Sequence, residues 1–167
     1  MQKNTKIIAA KIVVGLAVIP IVVFSHANGP DPRRTGAPGD KTCIDSGCHV
    51  GTANSGGGSV VLTTANGNTY IPGGPAETIT ITITDSAEKF FGFELTARVD
   101  SNPVNGQAGD FTAGTQQYVI CDDSSLKRPG KACTVPNDPV QFIEHSSPYN
   151  TGTINVTWTP PATNVGT

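Results

Sequence analysis

Thr78-Ile79-Thr80-Ile81-Thr82-Ile83-Thr84 alternates without error between apolar and hydroxyl side chains. A period of two belongs to a strand, with the isoleucines on a buried face and the threonines on a wet one. Branching at Cβ in every residue favours a pleated surface over a helix. Downstream, Phe91, Phe93, Leu95, Ala97 and Val99 keep the same period, with Gly92, Glu94, Thr96 and Arg98 opposite. Residues 59–64, 116–121, 139–145 and 153–159 give further candidates, and in the last Ile154, Val156 and Trp158 face inward. Turn residues separate these runs at Ala65-Asn66-Gly67-Asn68, Pro72-Gly73-Gly74-Pro75, Asn102-Pro103, Asn105-Gly106 and Pro148-Tyr149-Asn150. No amphipathic helix appears among them. The pattern predicts an all-β fold, an antiparallel immunoglobulin-like sandwich over residues 59–167. Pro160-Pro161-Ala162-Thr163-Asn164 reads as a connection, so the last strand or strands of the sandwich are expected to be missing.

The N-terminus carries a different signal. Lys3, Lys6 and Lys11 precede any acid, residues 12–24 form an apolar run with one proline, and Ser25-His26-Ala27 supplies small residues at −3 and −1. Residues 1–27 therefore read as a signal peptide. An uncleaved anchor is the alternative, but the run after Lys11 falls short of the ~20 residues that span a bilayer. Export to the periplasm or cell surface follows, with no membrane segment in the mature chain. Cleavage removes three of the 11 basic residues and none of the 13 acids, leaving a formal charge of 8 − 13 = −5. Such a balance disfavours nucleic-acid binding. About 140 residues remain, one domain by size. Residues 28–58 begin with a polar stretch holding Pro30, Pro32 and Pro38, which predicts an extended arm rather than a helix or central strand.

That arm holds Cys43-Ile44-Asp45-Ser46-Gly47-Cys48-His49. Two cysteines followed at once by a histidine is the arrangement that attaches haem covalently, the thiols adding to the vinyl groups and the histidine ligating iron. The usual gap is two residues; here it is four. Haem c on Cys43 and Cys48 with His49 as axial ligand is the leading expectation, and His145 is the candidate second ligand. Met1, the only methionine, leaves with the signal. Three alternatives stay open. Cys43 and Cys48 can form a small disulfide. Cys43, Cys48, His49 and His145 have the ligand types of a zinc site, though adjacent Cys48 and His49 suit one tetrahedral ion poorly. His145 can equally be a hydrogen-bonded strand residue. Cys121 and Cys133 bracket a polar loop and are expected to close it as a disulfide, worth about 3 kcal/mol on the chain-entropy model.

Several segments resemble exported bacterial proteins with a Reeler (reelin-type) domain, the choice-of-anchor V proteins among them. They are Thr35-Gly36-Ala37-Pro38-Gly39, Phe91-Gly92-Phe93-Glu94-Leu95-Thr96-Ala97-Arg98, Ile143-Glu144-His145-Ser146 and Thr157-Trp158-Thr159-Pro160-Pro161. The likeness covers essentially the whole mature chain. It implies a β-sandwich that continues past residue 167, and many such proteins carry a two-residue cysteine gap like that of c-type haem attachment. Some multihaem cytochromes tolerate four.

No nucleophile elbow, phosphate loop or dinucleotide fingerprint is present, so the reading is not enzymatic. The expectation is an exported electron-transfer domain that meets a redox partner protein or surface component. A haem-free, disulfide-stapled binding or adhesion module is the alternative.

Overall fold

The computed structural model describes residues 27–45, 49–67, 69–122 and 140–166. Among the described residues nine strands run in chain order: β1 Ser59–Thr64, β2 Glu77–Thr84, β3 Glu94–Leu95, β4 Arg98–Val99, β5 Asn102–Gln107, β6 Asp110–Thr112, β7 Gln117–Cys121, β8 Gln141–His145 and β9 Thr153–Thr159. All pairings are antiparallel. One sheet has the order β1-β2-β9-β6, a second β3-β8-β7, and β4-β5 form a ribbon. Among the described residues no helix is long and apolar enough to cross a membrane.

The Ile–Thr alternation does what its period dictates. Ile81 is buried and Ile79 and Ile83 pack beside it, opposite Ile154 and Val156 of β9. The second sheet adds Val119 and Ile143 from above, with Phe93 and Leu95 at its margin. Two glutamines tie the layers: Gln117 Nε2 donates to the Asn155 carbonyl at 2.8 Å, and the Phe111 amide donates to Gln141 Oε1 at 2.8 Å. Buried side-chain amides are tolerated because each finds a backbone partner.

The second sheet is apolar on its other side as well. Ile120, Val140 and Phe142 form a separate core with Tyr118, and the Arg98 guanidinium lies 5.3 Å from the Phe142 ring centroid. Consecutive burial of Phe142 and Ile143 means that both faces of β8 are covered.

Residues 91–99 do not form the single strand their period predicts. The segment divides into β3, paired with β8, and β4, paired with β5, with an irregular register at Arg98/Val99. Asn102-Pro103 and Asn105-Gly106, read above as turns, lie inside β5. A two-stranded ribbon has free edges, where a proline without an N–H is harmless. Gly106 belongs there because a Cβ would collide with the Val99 side chain and the Asn102 carbonyl. The three-residue β6 is too short to declare itself by period.

At the opposite margin, β1 is an edge strand with Val60, Val61 and Leu62 exposed by 65%, 51% and 50%. Val60 and Leu62 pair with Ile83 and Ile81 and share their core-side face.

Candidate functional site

The arm is not extended in the way its prolines suggest: it folds on itself and seats on the outer side of the second sheet. Thr35 and Thr42 form an antiparallel bridge, and the Asp40 amide donates to the Ala37 carbonyl at 2.8 Å. Pro38 and Gly39 occupy the middle of that turn, with Gly39 at φ +84°. Proline then glycine at positive φ is the chemistry of a type II turn.

The turn delivers Asp40 to the centre of an ionic cluster. Its side chain is fully buried and takes Arg98 Nη2 at 2.9 Å and Arg33 Nη1 at 3.1 Å. Thr35 Oγ1 adds a 2.7 Å hydrogen bond. Arg33, itself at φ +68°, also reaches Asp122 with Nε at 2.7 Å and Nη2 at 2.6 Å. The Asp122 hydrogen bond, above all, raises the Arg33 pKa further. Arg33 is thus committed to two carboxylates.

Beside the cluster, Glu94 and Glu144 stand directly across from each other on β3 and β8. Glu144 is fully buried, and Tyr118 of β7 is its neighbour on the other side. The Arg34 amide donates to Glu94 Oε2 at 2.7 Å, while Glu94 Oε1 is buried with no hydrogen-bond partner among the described residues. Burial pushes the Glu94 carboxyl up to about 8; the Arg34 hydrogen bond opposes this, and the Asp40 charge adds to it. Gly29, at φ +82°, brings the arm so close that a Cβ would lie 2.5 Å from the Glu144 carboxyl carbon and 2.6 Å from the His145 carbonyl.

The cysteine–histidine loop follows the hairpin. Asp45 Oδ2 accepts from the Thr42 amide at 2.9 Å and hydroxyl at 2.7 Å, and these bonds hold its carboxyl below the ordinary range. Cys43 is half-buried, its Sγ donating to the Arg34 carbonyl at 3.8 Å. The His49 amide donates to the Cys43 carbonyl at 3.4 Å, which brings the ends of the loop together. His49 is exposed, and the apolar Val50 beside it is 101% exposed. Cys48 lies outside the described residues, as do residues 1–26 of the expected signal peptide.

His145 is placed differently. Its neighbours on the same face of β8 are Gln141 and Ile143, which point into the sandwich, whereas the arm covers the face of Phe142 and Glu144. Nδ1 lies 3.1 Å from the Phe93 amide nitrogen and 3.0 Å from its carbonyl oxygen. Gly92 lies against the ring, where a Cβ would come within 2.6 Å of Cε1. The imidazole is thus held by the 92–93 backbone on the inner side of β8, and His49 sits on an arm that covers the outer side. Among the described residues, no group of three or more His, Cys, Asp and Glu is placed to hold a metal ion. Cys121, at the end of β7, is disulfide-bonded; Cys133 lies outside the described residues.

Sequence reasoning missed the two clusters that seat the arm. Glu94 and Arg98 alternate with core residues and read as a solvated face. The available signal was Val140-Gln141-Phe142-Ile143, where apolar residues on both faces of β8 require a cover on each side.

Comparison with known proteins fits this architecture. No curated protein and no solved structure matches the chain. The family model for the Reeler domain matches residues 42–167, three quarters of the sequence, and begins one residue before Cys43. The chain belongs to the Reeler domain family.

Proposed function

We propose that the mature chain is an exported Reeler domain whose seated arm carries one haem c, attached through Cys43 and Cys48 with His49 as axial ligand. The observation that carries this reading is the backbone closure between Cys43 and His49, with His49 and Val50 exposed. The His49–Cys43 backbone bond sets first cysteine and histidine side by side, and fully exposed Val50 gives an apolar macrocycle something to cover. A Cβ on the nearby Gly51 would meet nothing within 4 Å, so the space is open. Bound haem would supply one-electron chemistry. The chain supplies two thiols, one imidazole and a hairpin, seated on the sandwich through Asp40, from which the cysteine–histidine segment follows. His145 has no part in this reading, because its ring is taken up by Phe93 and Gly92. Cys121 and Cys133 close the loop after β7 as a structural disulfide. Reeler domains are generally extracellular, which agrees with export.

The test is to express the chain in a periplasm with cytochrome c maturation machinery, then stain a denaturing gel for haem and record an intact mass. One haem is expected on the wild type and none on Cys43→Ala/Cys48→Ala. His49→Ala should leave the protein with little or no attached haem. A colourless wild type, beside a haem-positive control cytochrome, would overturn the assignment. The second reading, a haem-free binding module, is favoured by one observation: the exposed apolar β1 edge lies in a stretch, residues 50–76, without a charged side chain.

A further inference from the structure

We infer that the N-terminal arm is a pH-gated clasp, closed while the Glu94 carboxyl is neutral and loosened as it ionises in the company of Glu144 and Asp40. The inference is independent of whether haem is attached. Its basis is geometric. The arm caps the Glu94 carboxyl through its own backbone, by the Arg34 amide at 2.7 Å, and the other Glu94 oxygen is buried without a hydrogen-bond partner among the described residues. A directly opposed pair of like acids on neighbouring strands is unfavourable when both are charged.

The groups facing Glu94 come from each packed element. From β8 there is Glu144, and beyond it Tyr118 of β7. The arm brings Asp40 and Arg34, and β4 brings Arg98. The cations favour the ionised form of Glu94 but do not outweigh its burial. Arg98 is engaged by Asp40 through two hydrogen bonds, at 2.9 and 3.1 Å, and Arg34 Nη1 donates to the Arg33 carbonyl at 3.2 Å. The neutral carboxyl is therefore the form that suits the closed arm, and it still accepts the Arg34 amide.

The sign follows from linkage. Glu94 has a carboxyl raised from 4.5 to about 8 under the arm, and an ordinary one when the arm lifts. The closed state thus holds one more proton between those values. Closure is strongest below about 4.5, weakens by up to tenfold per pH unit as pH rises toward 8, and levels off above that.

Hydrogen exchange of residues 28–45 in the mature chain, corrected for the intrinsic rate, measures the opening at pH 5, 6.5 and 8. In the wild type the protection of the Arg34 amide should fall by about two to three orders of magnitude over that range, with β9 amides unchanged. Glu94→Gln, which keeps an oxygen acceptor and removes the charge, should hold protection flat. Parallel behaviour of wild type and Glu94→Gln, or a wild type that shows no trend, would overturn the clasp. Carbon-13 titration of the wild-type Glu94 carboxyl stands as a second measurement should the variant not fold. A midpoint near 8 supports the inference, and one near 4.5 refutes it.

Discussion

Asp40→Ala should cost about 3–5 kcal/mol, the range expected when one partner of a buried ion pair is removed. The Asp40 side chain has no solvent exposure and that of Arg98 has 7%. Without Asp40, Arg98 is left with the Thr96 hydroxyl, backbone carbonyls at Pro103 and Val104, and the Phe142 ring. These accept hydrogen bonds or polarise, but they carry no negative charge. Arg33 keeps Asp122, so the loss falls chiefly on Arg98. Thr35 also loses its acceptor, which loosens the hairpin that presents Cys43. Denaturant unfolding of Asp40→Ala beside Asp45→Ala makes the comparison. Asp45 is an exposed carboxylate bonded, among the described residues, within its own turn, and its removal should shift the midpoint little. If the two variants behave alike, the buried cluster is not what seats the arm.

The sandwich was legible in the sequence because its signals are local. The alternation of Thr78 to Thr84, and Ile154, Val156 and Trp158 in β9, each declare a buried face within seven residues. The expectation weakened where pairing overrides local chemistry. Asn105-Gly106 has turn composition yet lies in β5, because Arg98 and Val99 supply a partner strand that no short window contains. The seat of the arm was harder still. Arg33 and Asp122 are 89 residues apart, and Arg98 and Asp40 are 58 apart. Charged residues at such separations look solvated until the fold brings them together. The cysteine–histidine loop was legible as chemistry, since adjacent residue types carry it. What the structure adds is that the loop hangs from a hairpin fixed to the sandwich. His145 shows the reverse case: its place on a strand face was readable, but the Gly92–Phe93 backbone that holds its ring was not.

Trp158→Ala should have an effect as large as Asp40→Ala, and of a different kind. Trp158 is 8% exposed on β9, between β2 and β6, where it faces Glu77 and Phe111 in register. Its ring meets Tyr70 edge-on at 5.6 Å, and Nε1 donates to the Ala108 carbonyl at 2.9 Å. Truncation removes the largest side chain of the inner core and strands that carbonyl, so about 3–5 kcal/mol is expected. Collapse into the cavity is opposed by Gly109, whose backbone already lies so close that a Cβ would sit 2.8 Å from Nε1. Trp158→Phe separates the two contributions. It keeps most of the apolar contact and loses the donor with a smaller part of the ring, for about 1–3 kcal/mol. Both variants should destabilise β9 amides and arm amides together, because the outer core rests on β8, whose inner face packs on β9. Asp40→Ala should instead expose the arm first and leave β9 amides the most protected in the chain. Exchange profiles of the three variants decide the matter. A Trp158→Ala protein that releases its arm while β9 stays protected would mean that the two cores of β8 are not coupled.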